Sequence, residues 1–341
     1  MRKFIFALVL FIGVLFIMAR FAEVQAIVET LQRGDLRFIL LAVGLVGLWL
    51  LAIAWSFHAV YFALGLNETL KRMLPLAAAS NFLNIVAPSA GMSGMAVFIA
   101  EAQRRKYSTG RAATAGAVVL LLDYAAFLCV LTLGLVVLFR RNTLDATEII
   151  PSAIMLAIAL TVAALIYLGM RSAESLGKAL SRMARGVNRI LRPILKREYL
   201  SEQRAHEFAA DVAEGLHLLF KTPRNMIVPI GMALVKQALL ITILWCSLRA
   251  FQVSFSPGTL IAGFSIGYLF LIISPTPAGL GFVEGALALA LRSMYVPFSQ
   301  AAIVTLAYRG LTFWIPLLVG MISFRALGSL KDSPPYTESS L

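Results

Sequence analysis

Long apolar runs separated by short charged connections set the rhythm of this chain. Six of them, Phe4 to Ala19, Phe38 to Leu64, Ala112 to Phe139, Ile150 to Met170, Met226 to Leu248 and Gln300 to Phe324, come close to the roughly 17 to 25 residues with which an α-helix crosses about 30 Å of hydrocarbon. Each is predicted to be a transmembrane helix. Two further apolar segments, Met73 to Ala100 and Gly258 to Tyr295, are interrupted. The first contains Ala87-Pro88-Ser89-Ala90-Gly91-Met92-Ser93-Gly94, and the second Ser274-Pro275-Thr276-Pro277-Ala278-Gly279-Leu280-Gly281-Phe282-Val283-Glu284-Gly285. Proline lacks the backbone donor that continues a helix, so both segments are expected to break there. Membrane helices broken at corresponding places in two halves of a chain point to a transporter whose site lies near the bilayer midplane, where half-helix ends face a ligand.

Charge orients these segments. The net charge of +13 is concentrated in a few connections, and short basic connections favour the cytoplasmic side. With Arg2 and Lys3 inside, the charge-balanced connection from Arg20 to Arg37 lies outside. The Lys71-Arg72 turn and the basic connection from Arg104 to Arg111 then both lie inside. Met73 to Ala100 therefore enters and leaves by one face, as a re-entrant hairpin turning at Pro88, Gly91 and Gly94. Irregular backbone at that depth is tolerated only when buried in protein or lining a wet cavity. The following spans place Arg140 to Ile149 outside, Arg171 to Arg224 inside, Phe251 to Pro257 outside and Arg325 inside. Gly258 to Tyr295 becomes a second hairpin of opposite direction, turning at Pro275, Pro277, Gly279 and Gly281. Span, hairpin and span thus occur twice with opposite orientation, as an inverted repeat. Asp123 follows Pro88 by 35 positions and Arg309 follows Pro277 by 32.

Composition agrees with a lipid environment. The chain is 60% hydrophobic and only 14% charged, with a mean hydropathy of +0.86, whereas charged residues approach about a quarter of a soluble globular protein. The predicted fold class is an all-α polytopic membrane protein of about six full transmembrane helices plus two re-entrant helical hairpins. One domain is expected over residues 1–330, with a first repeat at about 38–139, a cytoplasmic basic segment at 171–224 and a second repeat at about 226–325. Residues 331–341, with Pro334-Pro335, read as a disordered tail. Met1-Arg2-Lys3 before an apolar run also fits a secretory signal, but Arg20 stands where the small residues of a cleavage site belong, so an uncleaved anchor is expected. In the basic segment, Leu176, Leu180, Met183, Val187, Ile190 and Ile194 recur at helical spacing opposite a cationic face, including Arg182, Arg189 and Lys196. Such a helix either rests on an anionic leaflet or is simply a positive-inside connection. Cys129 and Cys246 lie within apolar runs and suit packing rather than a disulfide or a zinc site. No metal or other cofactor is expected.

An ionisable group deep in a span costs several kcal/mol and calls for a partner or a purpose. Asp123 lies twelve residues beyond Arg111, roughly 18 Å at about 1.5 Å per residue, near the middle of the membrane. Lys236 and Arg309 lie about as deep, and Glu284 follows the second break. These two acids and two bases either form buried ion pairs that hold the bundle or make a site. Buried pairs stabilise poorly once desolvation is counted, which favours the site. Lys236 and Arg309 would then take a phosphate headgroup, with Asp123 and Glu284 carrying a coupling proton or meeting a cationic group. Backbone N–H groups near Gly91, Gly94, Gly279 and Gly281, where helix resumes, would add a second anion-binding device. Asn81 and Asn84 either bond a headgroup or pair with a neighbouring helix. His58, Tyr124, Tyr268, Trp245 and Trp314 are expected in packing or interfacial roles, and His206 and His217 face water.

The pattern of Asn84 and Pro88 with Gly91 and Gly94, a basic turn, a helix bearing Asp123, then Pro275 to Gly281 with Glu284 and a later Arg309, resembles the flippase-like membrane domain of lysylphosphatidylglycerol synthases, the multiple peptide resistance factor family. The resemblance covers nearly the whole chain, and Pro-x-Pro-x-Gly-x-Gly-x-x-Glu is its most specific part. It implies a domain that moves aminoacylated phosphatidylglycerol between leaflets, in proteins where a separate soluble domain makes that lipid from aminoacyl-tRNA. The 341 residues show no such domain, so the expectation is a transporter and not an enzyme. Stand-alone relatives occur beside genes for hopanoids and polyprenyl-linked sugars, which leaves the cargo open. The resemblance carries roles to Asp123, Glu284 and Arg309, whereas Lys236 rests on its depth alone. Expected partners are membrane lipids, anionic or aminoacylated phospholipids first, with a homo-oligomer left open. The expected place is a bacterial cytoplasmic membrane with both termini cytoplasmic. Nucleic-acid binding is not expected, because topology accounts for the cations. The competing classes are an intramembrane lipid-modifying enzyme and an accessory protein of lipid synthesis. The first lacks support, since the sequence shows no HExxH, no GxSxG with a suitably placed histidine and no paired acidic metal motif.

Overall fold

Apolar length decides most of the architecture. The computed structural model describes residues 21–87, 93–141, 146–178, 181, 202–221, 223–274, 276 and 279–329. Outside them lie the first apolar run from Phe4 to Ala19, the breaks at Pro88, Gly91, Pro275 and Pro277, residues 182–201 of the basic segment, and the tail. In chain order the helices are α1 (Phe21–Arg33), α2 (Leu36–Ala63), α3 (Leu70–Val86), α4 (Met95–Arg104), α5 (Thr109–Arg140), α6 (Ala146–Arg171), α7 (Glu202–Lys221), α8 (Ile227–Ala250), α9 (Pro257–Ile273), α10 (Phe282–Ser293), α11 (Phe298–Arg309) and α12 (Ile315–Ser329). No strand occurs among the described residues, and the protein is an all-α polytopic membrane protein.

Among the described residues, five helical stretches are long and apolar enough to cross a membrane: Leu36–Ala63, Thr109–Arg140, Ser152–Arg171, Arg224–Ala250 and Phe298–Leu327. They coincide with five of the six predicted spans. The connection expected between Arg20 and Arg37 is instead largely helical, as α1, and its Ile27 is buried against the C-terminal half of the bundle. Polar residues start the long helices where sequence chemistry favours them. The side chains of Asp35, Ser108 and Ser256 accept from the backbone N–H of Arg37, Arg111 and Thr259, at 3.0, 3.2 and 3.2 Å.

Both interrupted segments fold into helical hairpins, α3 with α4 and α9 with α10. In each, the outer ends of the two arms are tied together. At the first, Arg105 reaches Glu68 at 3.1 Å, joining the end of α4 to the start of α3. At the second, Arg141 from the end of α5 donates to Ser256 at 2.9 Å and contacts Met294 at 3.3 Å, joining the start of α9 to the end of α10. The helix endings match as well. Gly65 and Gln252 take left-handed φ of 71° and 53° after α2 and α8, and Lys106 and Tyr295 take 59° and 68° after α4 and α10. Each is followed by an N–H that reaches back five residues, to Tyr61, Leu248, Ala102 and Leu291.

The two halves interlock. α3 packs along α12 and α9 along α5, so the first arm of each hairpin lies on the last span of the other half, while α2 and α8 meet between them. Glycine permits these approaches at equivalent places. A Cβ at Gly320 would come within 2.5 Å of the Ala78 carbonyl oxygen, and one at Gly134 within 2.6 Å of the Ser265 Cβ. Gly134 follows Asp123, and Gly320 follows Arg309, by eleven positions. One apolar core surrounds Phe127, Leu244, Phe264 and Leu291, and another surrounds Phe57 and Phe98, whose rings stack at 3.8 Å. Members of both cores, Tyr124 and Leu240 of the first and Phe57 and Val119 of the second, line the cavity that holds the candidate site.

Candidate functional site

A cavity of about 240 Å³ opens between the halves, lined by residues of α2, α3, α5, α8, α9 and α11 among others. One water needs only about 10–15 Å³ on this measure, so the space holds far more than a structural water. Asp123, Lys236 and Arg309 line it, and Glu284 joins through Arg309. The four ionisable residues thus come together as two pairs, a pairing the sequence left undecided.

Lys236 Nζ lies 2.6 Å from Asp123 Oδ1, bridging α8 and α5. The Lys236 side chain is 4% exposed and that of Asp123 31%. In the second pair, Arg309 Nε donates to Glu284 Oε1 at 2.7 Å, with exposures of 4% and 21%. Glu284 is held a second time, because its Oε2 accepts from the Gly281 N–H at 2.7 Å and closes the N-terminus of α10. The Arg309 guanidinium also sits 4.8 Å from the centre of the Phe313 ring, within cation–π range.

The backbone N–H groups predicted to be open to an anion are already occupied where they can be seen. Gly94 N–H donates to Asn84 Oδ1 at 2.6 Å, Gly279 N–H to the Thr276 carbonyl at 3.0 Å, and Gly281 N–H to Glu284. The partners are a side chain from the facing arm, a backbone carbonyl and the glutamate three residues on, so the fold satisfies these donors without a ligand. Gly279 and Gly281 have φ of 72° and 80°, which suits glycine. Asn84 lines the cavity and also stitches the first hairpin, since it accepts from the Ser93 hydroxyl at 3.0 Å as well. Pro88, Gly91, Pro275 and Pro277 lie outside the described residues.

Three features escaped the sequence. Tyr124 and Tyr268, expected in packing or at an interface, line the cavity with Tyr308. Gln237, next to Lys236, is 3% exposed and lines it too. A glutamine in the middle of an apolar run was the available signal. Finally, the helix widens into a π-turn at Gly310–Trp314, between α11 and α12. Pro316 lacks the N–H that would reach back to Thr312, and the wider turn relieves that conflict. It brings Thr312 and Phe313 to the cavity beside Arg309.

The site therefore combines two cations, two acids and a rim of phenol and amide groups in a largely apolar bundle. The family model of the lysylphosphatidylglycerol synthase TM region matches residues 4–320. The chain belongs to that family. The match is to the membrane region, and no catalytic domain is detected alongside it. No curated protein matches the chain. Membership ties this multi-pass membrane protein to membrane-lipid function. It also fits the Pro-x-Pro-x-Gly-x-Gly-x-x-Glu segment, whose Glu284 is the doubly anchored acid of the site.

Proposed function

We propose that this protein is a lipid flippase that moves a phospholipid with a polar, phosphate-bearing headgroup across a bacterial cytoplasmic membrane, with both termini on the cytoplasmic side. The observation that carries this is the cavity between the halves with Lys236 and Arg309 on its wall, each shared with an acid. A buried guanidinium and a buried ammonium are an expensive way to hold apolar helices together, and they suit phosphate oxygens. Headgroups enter the cavity while acyl chains stay in lipid. The two hairpins are re-entrant and belong to an inverted repeat, a reading supported by their tied outer ends and their reciprocal packing on the opposite half. Rocking of one half against the other then exposes the cavity to each leaflet in turn. Anionic or aminoacylated phospholipids are the first cargo class, and the protein works without chemistry of its own.

Mass spectrometry of lipids retained on protein purified in mild detergent tests this, comparing wild type with Arg309→Gln. An anionic or aminoacylated phospholipid enriched on wild type and lost from the variant is the expected result. Enrichment of a neutral polycyclic lipid, or no selective lipid, overturns the phosphate role of Lys236 and Arg309.

A further inference from the structure

We infer that Gln237 selects the headgroup: the ligand of this cavity carries a hydrogen-bond donor, a hydroxyl or an ammonium, beside its phosphate. The inference rests on the proposal that a phosphate-bearing headgroup occupies the site. Gln237 follows Lys236 on α8, is 97% buried and lines the cavity. A hydrogen bond links its amide to the Tyr268 hydroxyl, yet Oε1 is buried with no partner. Buried acceptors are almost always satisfied, and leaving one without a donor is costly. Methionine or leucine would fill the same space in an apolar helix without that cost.

The chemistry of the surroundings narrows what can satisfy it. Lys236 lies against Asp123 and Arg309 against Glu284, so the nearby cations already face acceptors. A phosphodiester brings only further acceptors, which suit Lys236 or Arg309 and do nothing for Gln237 Oε1. The missing donor must come from another part of the ligand within reach of the residue beside Lys236. Headgroups that end in a hydroxylated or amine-bearing substituent supply one. A phosphodiester capped by a plain alkyl group does not.

Two lipid pairs isolate this donor. Phosphatidylglycerol and phosphatidylethanol of identical acyl chains share the phosphodiester and its charge but differ in hydroxyls. Phosphatidylethanolamine and phosphatidylcholine differ chiefly in N–H donors. Binding of all four to the full chain in detergent is measured by native mass spectrometry, for wild type, Gln237→Met and Lys236→Met. The expected result is a preference of about three- to tenfold for the donor-bearing member of at least one pair, the net strength of one hydrogen bond. That preference disappears in Gln237→Met. Gln237→Leu replaces the methionine variant if that one is not recovered folded. Equal binding within both pairs, still weakened by Lys236→Met, overturns the role of Gln237 and leaves the phosphate site standing. A preference that survives in Gln237→Met also overturns it. No binding that depends on Lys236 overturns the phosphate site and the selection together.

Discussion

The two ion pairs contain the same chemistry in different settings. Glu284–Arg309 lies within the C-terminal half, and its acid is fastened twice, once to the base and once to the Gly281 N–H. Asp123–Lys236 joins α5 of one half to α8 of the other by one contact, and its acid is the more open of the two, at 31% against 21%. A pair held within one half can stay closed if the halves move against each other. A pair that crosses between halves must open if the halves rock. On the proposed function, the first pair would brace and the second would move.

The largest effect is expected from breaking the brace. Arg309→Met leaves the Glu284 carboxylate without its base, and loss of one partner of a buried pair costs about 3–5 kcal/mol. Thermal unfolding in detergent should show a large fall in midpoint. Glu284→Gln should be milder than Glu284→Leu, because an amide oxygen still accepts from Gly281 and leucine cannot. Equal midpoints for the glutamine and leucine variants would remove the second anchor from the account.

Next comes the crossing pair. Lys236→Met alone strands Asp123 and should destabilise by a similar order, about 3 kcal/mol, whereas Asp123→Leu combined with Lys236→Met should recover most of that loss. Movement of an acyl-labelled phospholipid in reconstituted vesicles is expected to fail in the double variant even though it is folded. Wild-type movement by the double variant would reduce this pair to packing.

These pairs also mark what the sequence could tell. The spans were legible because about twenty apolar residues have few other uses, and the four charges stood out because lipid penalises them. Which acid meets which base was not legible, since Asp123 and Lys236 are brought together by the crossing of α5 and α8 and not by spacing along the chain. The helix α1 was missed because a short stretch of balanced charge reads as a connection. The π-turn was missed although Pro316 announced a conflict, because sequence does not show whether a helix kinks or widens to relieve it. The glycine N–H groups were misjudged for a different reason. Whether a donor at a helix start is free depends on side chains ten residues away, as with Asn84 and Gly94.

The two hairpin turns extend the comparison to a smaller scale. A Cβ at Gly94 would come within 2.7 Å of Asn84 Nδ2 and 2.8 Å of the Ser80 carbonyl oxygen, so alanine there must push backbone aside. At Gly281 there is room for a Cβ, and the obstacle is only the positive φ. Gly94→Ala should cost about 1–3 kcal/mol by overpacking and Gly281→Ala about 1–2 kcal/mol from backbone conformation. The first should also disturb the cavity, because Asn84 lines it, so retained-lipid levels should fall more in Gly94→Ala than in Gly281→Ala. The reverse order would place the sensitive turn in the second half.

The smallest effect belongs to the surface. α7 is attached to the start of α5 by Arg111–Glu214 at 2.6 Å and by the Ser108 hydroxyl donating to Asp211 at 2.9 Å. Glu214 is 60% exposed, so its ion pair is screened by solvent and salt. Arg111→Gln should change stability by less than about 1 kcal/mol, and the change should shrink further as salt is raised, as followed by unfolding midpoints across a salt series. Asp211 is different in kind, since it accepts the hydroxyl of the residue that caps α5. Asp211→Ala should therefore exceed Arg111→Gln and resist salt. If instead Arg111→Gln were the costlier and salt-sensitive change, charge alone would hold α7 to the bundle, and the contrast between anchored and exchangeable contacts would reach the membrane surface as well as the cavity.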